Sequence, residues 1–323
     1  YSNMEKLREA IDKKRNIKEI SLKAYLISIK KVHNAILGED KEMENIDFLK
    51  DEEKVLEAIE GLKLNTQKNY LSAIIVSLDA MNDDGEYDKE LKEYREYLET
   101  VNKSYYEQLN KNEKTEDQDE NWVSLKELRK VMNGYKADLA DRNVFKKETL
   151  TKKQFDILQK WVVANLYLND SNPPIRLDYG DMAIIKEKDF EKLSDEDLNE
   201  NNYLVIKSRT NKKFHFGNYK TKKSQGIKTI PVGKVLNSVL NIWLKHNDQP
   251  YLLLDSQGNK MNSNQLSKYI NKVFEPTGKK INANLLRHIY ISEKFPVEKN
   301  NEKAEVADKM GHSVDTQNSY AKK

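Results

Sequence analysis

Cysteine is absent from all 323 residues, which excludes disulfide support and thiolate metal sites. No run of about 18 apolar residues occurs, so no segment is expected to span a membrane. No secretory leader is recognisable, and an intracellular protein is the expectation. The first residue is Tyr1 rather than methionine, so the numbering is expected to be that of a fragment. Familiar catalytic signatures are missing too. The chain has no paired His and carboxylate motif at metal-ligand spacing, no GxxxxGK[ST] phosphate loop and no GxSxG elbow. These absences argue against zinc or two-metal chemistry, P-loop nucleotide hydrolysis and an α/β-hydrolase triad.

What remains is a charged chain. Charged residues make up 34% and hydrophobic residues 37%, enough for helical domains that each bury one stripe. The length suggests two domains. A net charge of +3 and a pI near 8.5 do not by themselves call for nucleic acid. The distribution does. Acidic residues gather in "EDKEMENIDFLKDEEK", "EKTEDQDE" and "EKLSDEDLNE", whereas residues 207–228, "KSRTNKKFHFGNYKTKKSQGIK", hold eight Lys or Arg and no carboxylate. Such a block is either a solvated loop or a surface for DNA phosphate, whose contacts dominate nucleic-acid affinity.

Residues 1–111 read as helices only. In "SLKAYLISIKKVHNAIL" the apolar positions Leu22, Tyr25, Leu26, Ile29, Val32 and Ile36 recur at helical spacing, and Gly38 follows as a stop signal. "NTQKNYLSAIIVSLDAM" predicts a second helix with Asn65 or Thr66 as its cap and Tyr70, Ala73, Ile74, Ser77 and Leu78 on one face. The turn "NDDGEYD" leads into the long charged helix "KELKEYREYLETVNKSYYEQLNK". Residues 112–121, polar and without an aliphatic side chain, mark an interdomain linker. From 122 onward "VSLKELRKVM" opens a second domain with a serine cap, and "KKQFDILQKWVVANLYLND" predicts a central apolar helix ended by "SNPP". The period then changes to that of strands. "YLVIKS", "KFHFGNYKT" and "GIKTIPV" predict three antiparallel strands, and helices resume at "VLNSVLNIWLKH". The fold class is mainly α, an all-helical first domain followed by a mostly helical second domain with one small antiparallel sheet.

The second domain spreads arginine, lysine, histidine and tyrosine over separate segments. "PPIRLDYGDM" places Arg176 just after a helix break, and "NYKTKKSQGIKTIPV" places Lys220 in a strand leading into a basic turn. "NANLLRHIYIS" places Arg287 and His288 at a helix start, and "MGHSVDTQNSY" supplies His312 and Tyr320 near the end. Each has a plainer alternative: Arg176 as a helix cap, His312 as a helix-ending polar residue, and Tyr320 as one tail tyrosine among 17.

In this order, Arg, Lys, an "LRH" string, a "GHS" string and a late Tyr, the chain resembles the tyrosine recombinases. The likeness covers nearly the whole sequence. "SLKELRKVM" is similar to the family's opening catalytic helix and "KLNTQKNYLSAI" to the second half of its DNA-clamping domain, while "YKT" and "PPIRLDYGDM" resemble integrases of mobile elements and large DNA viruses. The resemblance implies a helical core-DNA-binding domain at 1–111, a linker at 112–121 and a catalytic domain at 122–323. It implies DNA recombination or integration through a 3′-phosphotyrosine intermediate without metal, ATP or other cofactor.

Tyr320 is then the nucleophile. Arg176 and Arg287 hold the scissile phosphate, Lys220 is the general acid with Lys222 and Lys223 as rivals in the same turn, and His312 donates a hydrogen bond. Asn284 stands where the family most often has histidine, and asparagine can donate a hydrogen bond but cannot exchange a proton near neutral pH. His312 to Tyr320 is also about one residue shorter than the family's commonest spacing. Supporting roles fall to His288 and to Asp178 or Asp181 behind Arg176. Lys68, Lys207, Arg209, Lys212, Lys213, Lys222, Lys223 and Lys228 are the expected DNA contacts. The implied partner is double-stranded DNA, gripped by a two-domain clamp, with a homotetramer on two sites, in a prokaryotic cytoplasm or in a eukaryotic nucleus or viral factory. Only three residues follow Tyr320, so the helix that many members dock into a neighbouring subunit is expected to be missing. Two rivals remain. A type IB topoisomerase shares the chemistry and also lacks histidine at the Asn284 position, but the helical first half argues against it. A DNA-binding protein that kept the fold and lost catalysis is opposed by the intact residue set.

Overall fold

The computed structural model describes residues 2–111, 113–169, 172 and 174–295. The chain divides into two compact units, Tyr1–Lys111 and Asn112–Lys323.

Helices α1 (Asn3–Lys14), α2 (Glu19–Leu37), α3 (Glu52–Glu60), α4 (Leu64–Ala80) and α5 (Asp88–Asn110) build the first unit. Ser2 and Glu5 form a capping box at the start of α1, each side chain accepting from the other's backbone N–H. α2 stops at Gly38, whose φ of +92° suits only glycine. The central element is α4, on which α1, α2 and α5 pack. Its Leu71, Ala73, Ile74 and Leu78 are all 0% exposed. Burying each Leu or Ile stabilises the unit by roughly 1.5–3 kcal/mol, whereas a free helix of this length is marginal in water. Packing therefore holds α4 in place. The expected cap at Asn65 or Thr66 is not used: α4 begins at Leu64 without a side-chain cap. Gln67 makes the connection instead, donating from Nε2 to Glu60 O (3.0 Å) and Leu62 O (2.7 Å) at the end of α3.

The second unit opens with α6 (Glu116–Asn121) inside the segment expected to be a bare linker. Its polar composition hid a Thr115–Gln118 capping box strong enough to start a short helix. α7 (Leu125–Asp141) carries the serine cap, with Ser124 accepting from Glu127 N–H. α8 (Lys152–Leu168) is the hub, against which α7, α12 (Lys234–His246) and α13 (Ser263–Val273) pack. Its buried face includes Leu158, Val162, Val163, Leu166 and Tyr167 at 0% exposure. Gln159 is buried among them without penalty, because it exchanges two hydrogen bonds with the Leu254 backbone (2.9 and 2.8 Å).

Between α8 and α12 lie β1 (Ala183–Lys186), α9 (Glu187–Phe190), α10 (Asp195–Glu200), β2 (Asn202–Ser208), β3 (Asn211–Phe216), α11 (Lys222–Gln225) and β4 (Lys228–Pro231); α14 (Ala283–Lys294) closes the described chain. The sheet has the order β1-β2-β3-β4. Its last three strands are antiparallel as expected, with Asn202 opposite Phe216 and Phe214 opposite Ile230. A fourth strand was not foreseen. β1 runs parallel to β2, with Ala183 opposite Tyr203; its four residues are too few to show a period. Among the described residues, no helix is long and apolar enough to cross a membrane.

Candidate active site

Arg176 lies in the loop between α8 and β1, and that loop is pinned from several sides. Tyr167 on α8 donates its hydroxyl to Arg176 O (2.5 Å), and Ser263 Oγ at the start of α13 donates to Leu177 O (3.2 Å). Gly180 presses on Ser263 so closely that a Cβ there would meet its backbone at 2.7 Å. Tyr179 is fully buried, accepts from Asn172 Nδ2 (2.5 Å) and packs edge-on to Tyr167 and Phe214.

Of the two acidic residues proposed to back Arg176, the structure separates the roles. Asp181 sits at φ +62° and pairs with Lys260 (3.3 Å). Asp178 is the one on which the arginines' charges act. Burial raises its carboxyl from the ordinary 3.8 to about 6, and the charges of Arg176 and Arg287 pull in the opposite direction. The charges of two arginines 111 positions apart in sequence thus both act on one carboxylate.

Arg287 comes from α14, whose first turn is capped by Asn282 accepting from Leu285 N–H (2.8 Å). The guanidinium is 0% exposed, the second-largest of the fully buried side chains. His288 beside it is buried at 8%. Asn284 is exposed and lies one turn before Arg287 on the same helical face.

The raised Asp178 group has a measurable consequence. A carboxyl whose folded-state pKa lies above its unfolded value contributes stability below about pH 4 and loses it as pH rises through about 6. The contribution is on the order of 2 kcal/mol, allowing for partial exposure. Asp178→Asn removes it. Chemical denaturation across pH 4 to 7 is expected to show the variant gaining on the wild type as pH rises, then levelling; a constant difference across this window would contradict the placement of Asp178.

Lys220 is exposed and stands in the turn after β3, not within a strand. The turn is closed by Tyr219 donating its hydroxyl to Gly226 O and by Gly226 N–H donating to Lys222 O (2.7 Å). Lys222 reaches back to Asn199 O near the end of α10, while Lys223 is exposed. The turn is tied to the Arg176 loop by a residue that sequence reasoning missed. Asn202 Nδ2 donates to Asp178 O (3.2 Å) and to Asn218 O (2.9 Å). No sequence signal marks Asn202, because its partners lie 24 and 16 residues away.

The basic block at 207–228 is not one surface. Because β3 runs between them, Lys207 near the end of β2 with Arg209 in the β2–β3 turn, and the β3–β4 turn with Lys220, Lys222 and Lys223, occupy opposite ends of the sheet. Six residues of strand separate them by roughly 20 Å. Lys228 begins β4 at the Lys220 end, half-buried opposite Phe216. Lys213 lies over the Phe190 ring (5.0 Å). Lys212 is a correction to the expected DNA contacts. It is 3% exposed and donates to Arg209 O (2.8 Å), Asn237 Oδ1 (2.5 Å) and Asn241 Oδ1 (2.6 Å). Burial, then the nearby Arg209 charge, lowers its pKa. Lys212 braces the β2–β3 turn from inside and has no face for a phosphate. In the first unit, Lys68 lies over the rings of Tyr105 (4.8 Å) and Tyr106 (5.5 Å).

His312 and Tyr320 fall outside the described residues. No family model matches the sequence, and no curated protein sequence matches it. Solved structures do. XerH site-specific recombinase, in a post-cleavage complex with a palindromic difH substrate, aligns at a TM-score of 0.55 with 18% identity, over 98% of this chain and 80% of its own. XerA recombinase aligns over 99% of this chain and 93% of its own, at 12% identity and a TM-score of 0.37. The likeness to XerH, together with the helical units and the small sheet described above, shows that this chain has the tyrosine-recombinase fold.

Proposed function

We propose that the protein is a site-specific DNA recombinase or integrase that cuts and rejoins strands through a tyrosine. The carrying observation is that the charges of Arg176 and Arg287 both act on the Asp178 carboxyl, in a fold shared with a site-specific recombinase. Two guanidiniums acting together suit a phosphodiester whose non-bridging oxygens gain charge as phosphorus becomes five-coordinate. Guanidinium stays charged at any working pH and can meet two oxygens at once. Asp178, ionised above about pH 6, offsets the charge of both groups before DNA arrives.

The remaining roles come from the sequence pattern. Tyr320 attacks phosphorus, its hydroxyl proton passes to solvent, its oxygen forms the new bond, and the bond to the 5′-oxygen breaks. Lys220 gives that leaving oxygen its proton. His312 and Asn284 donate hydrogen bonds to the phosphate, with His288 in support. Because the phosphotyrosine keeps the bond energy, the 5′-hydroxyl of another strand reverses the step without ATP. Lys68, Lys207, Arg209, Lys213, Lys222, Lys223 and Lys228 supply backbone contacts. A homotetramer pairs two duplex sites, and the protein works wherever its DNA resides.

The test is covalent capture from a random duplex library, followed by a plasmid carrying two copies of the captured site. Recombined circles support the proposal. Relaxed topoisomers without recombinants would assign the chemistry to a topoisomerase instead, and binding without any adduct would leave a DNA-binding protein.

A further inference from the structure

We propose that Asn202 is a positioning residue that sets the Lys220 turn against the arginine pair. This role rests on the recombinase reading and adds to it a part that lies outside the Arg, Lys, His and Tyr set. Asn202 is the first residue of β2 and is buried at 8%. Its single amide makes three hydrogen bonds. Oδ1 accepts from Asn218 N–H (2.8 Å), Nδ2 donates to Asn218 O (2.9 Å), and Nδ2 also donates to Asp178 O (3.2 Å). Both amide hydrogens and one acceptor position are therefore used.

The first two bonds copy a strand pair. The β2–β3 register ends with Asn202 opposite Phe216, and the Asn202 side chain extends the hydrogen bonding to Asn218. The third bond reaches the carbonyl of Asp178, the residue whose carboxyl feels the charges of Arg176 and Arg287. One side chain thus joins the two segments that bear the proposed acid and the proposed phosphate clamp. Lys220 follows Asn218 by two residues. The chain between has no slack on its near side, because Gly217 N–H donates to Asn201 O (3.1 Å) and a Cβ on Gly217 would lie 1.9 Å from Leu198 O. Tyr219, between Asn218 and Lys220, is itself buried at 8%. A shift at Asn218 is therefore passed to the lysine.

The chemistry predicts what that shift costs. A general acid matters when the leaving group is a poor one, as an alkoxide is, and its contribution depends on reach. Misplacing it by about 1 Å lowers the rate on the order of 100-fold. A 5′-thiolate leaves without a proton, since a thiol is far more acidic than an alcohol. Replacing the bridging 5′-oxygen of the captured site with sulfur therefore removes the need for Lys220 while leaving the arginine clamp as important as before.

The experiment compares single-turnover cleavage of the oxygen and sulfur substrates by full-length wild type, Asn202→Ala, Asn202→Asp, Lys220→Ala and Arg176→Ala, with thermal melting and DNA binding measured alongside. Asn202→Asp keeps the acceptor for Asn218 N–H but loses both donors, so it tests the strap where Asn202→Ala fails to fold. The expected result is a roughly 10- to 100-fold loss for the Asn202 variants on the oxygen substrate and near wild-type rates on sulfur, the pattern of Lys220→Ala. Arg176→Ala is expected to be slow on both. A folded Asn202 variant that cleaves the oxygen substrate normally overturns the proposal, and so does an equal loss on both substrates. A wild-type chain that cleaves neither overturns the recombinase reading and this role with it.

Discussion

Arg287→Ala is expected to lower strand cleavage by about 100- to 1,000-fold, the loss seen when one preorganised donor to a developing charge is removed. The size follows from burial. Arg287 is 0% exposed, and charge interactions strengthen as water is excluded. Arg287→Lys is not expected to recover the activity, because an ammonium offers a point charge where the guanidinium offers a planar fork. DNA binding should fall far less than cleavage, since many lysines contribute to it. Melting curves are needed beside the rates, because removing a large buried side chain also leaves a cavity. Wild-type cleavage by a folded Arg287→Ala would remove the residue from the mechanism.

The second large effect concerns two glycines that flank Lys220. Gly217 has an ordinary backbone conformation, but a Cβ there would lie 1.9 Å from Leu198 O and 2.7 Å from Asn201 O. These are backbone atoms and cannot rotate away. Gly217→Ala is therefore expected to destabilise the second unit by about 3 kcal/mol, the upper end of ordinary overpacking. Gly226 is the opposite case. Nothing lies within 4 Å of its Cβ position, but its φ of +71° and ψ of −171° form a conformation almost confined to glycine. Gly226→Ala is expected to cost about 1–3 kcal/mol through strain alone. A Tm series on the two variants separates the causes. Gly226→Asn is expected to recover little, because asparagine tolerates the left-handed helical region and not this one. Equal stability of Gly217→Ala and wild type would mean that the β3 end does not press on α10.

Much of this molecule was legible in local patterns. The helices of the first unit follow their apolar spacing, Ser124 and Gly38 mark ends as capping chemistry predicts, and the change from helical to strand period locates β2, β3 and β4. Arg176, Lys220 and Arg287 stand out as candidates because each sits in a short string. What stayed hidden depends on partners far along the chain. Lys212 reads as a DNA contact in a basic run, yet Asn237 and Asn241, 25 and 29 residues later, hold it inside. The block at 207–228 looks continuous in sequence, while the reversal at each strand end sends its charges to opposite ends of the sheet. Asp178 and Asp181 are indistinguishable as letters. Only the fold shows that Lys260 pairs with one and that the arginines' charges act on the other. Asn202 had no signal at all, since an asparagine at a strand start usually belongs to the turn before it.

The most direct test of the account is a denaturing gel. Full-length protein and Tyr320→Phe are incubated with nicked duplexes, built so that the fragment downstream of the cut diffuses away and the covalent intermediate accumulates. The account predicts a protein-linked DNA band for the wild type, attached through the 3′-phosphate, and none for Tyr320→Phe. An adduct that survives the Tyr320→Phe substitution would contradict the assignment of the nucleophile on which the whole mechanism depends.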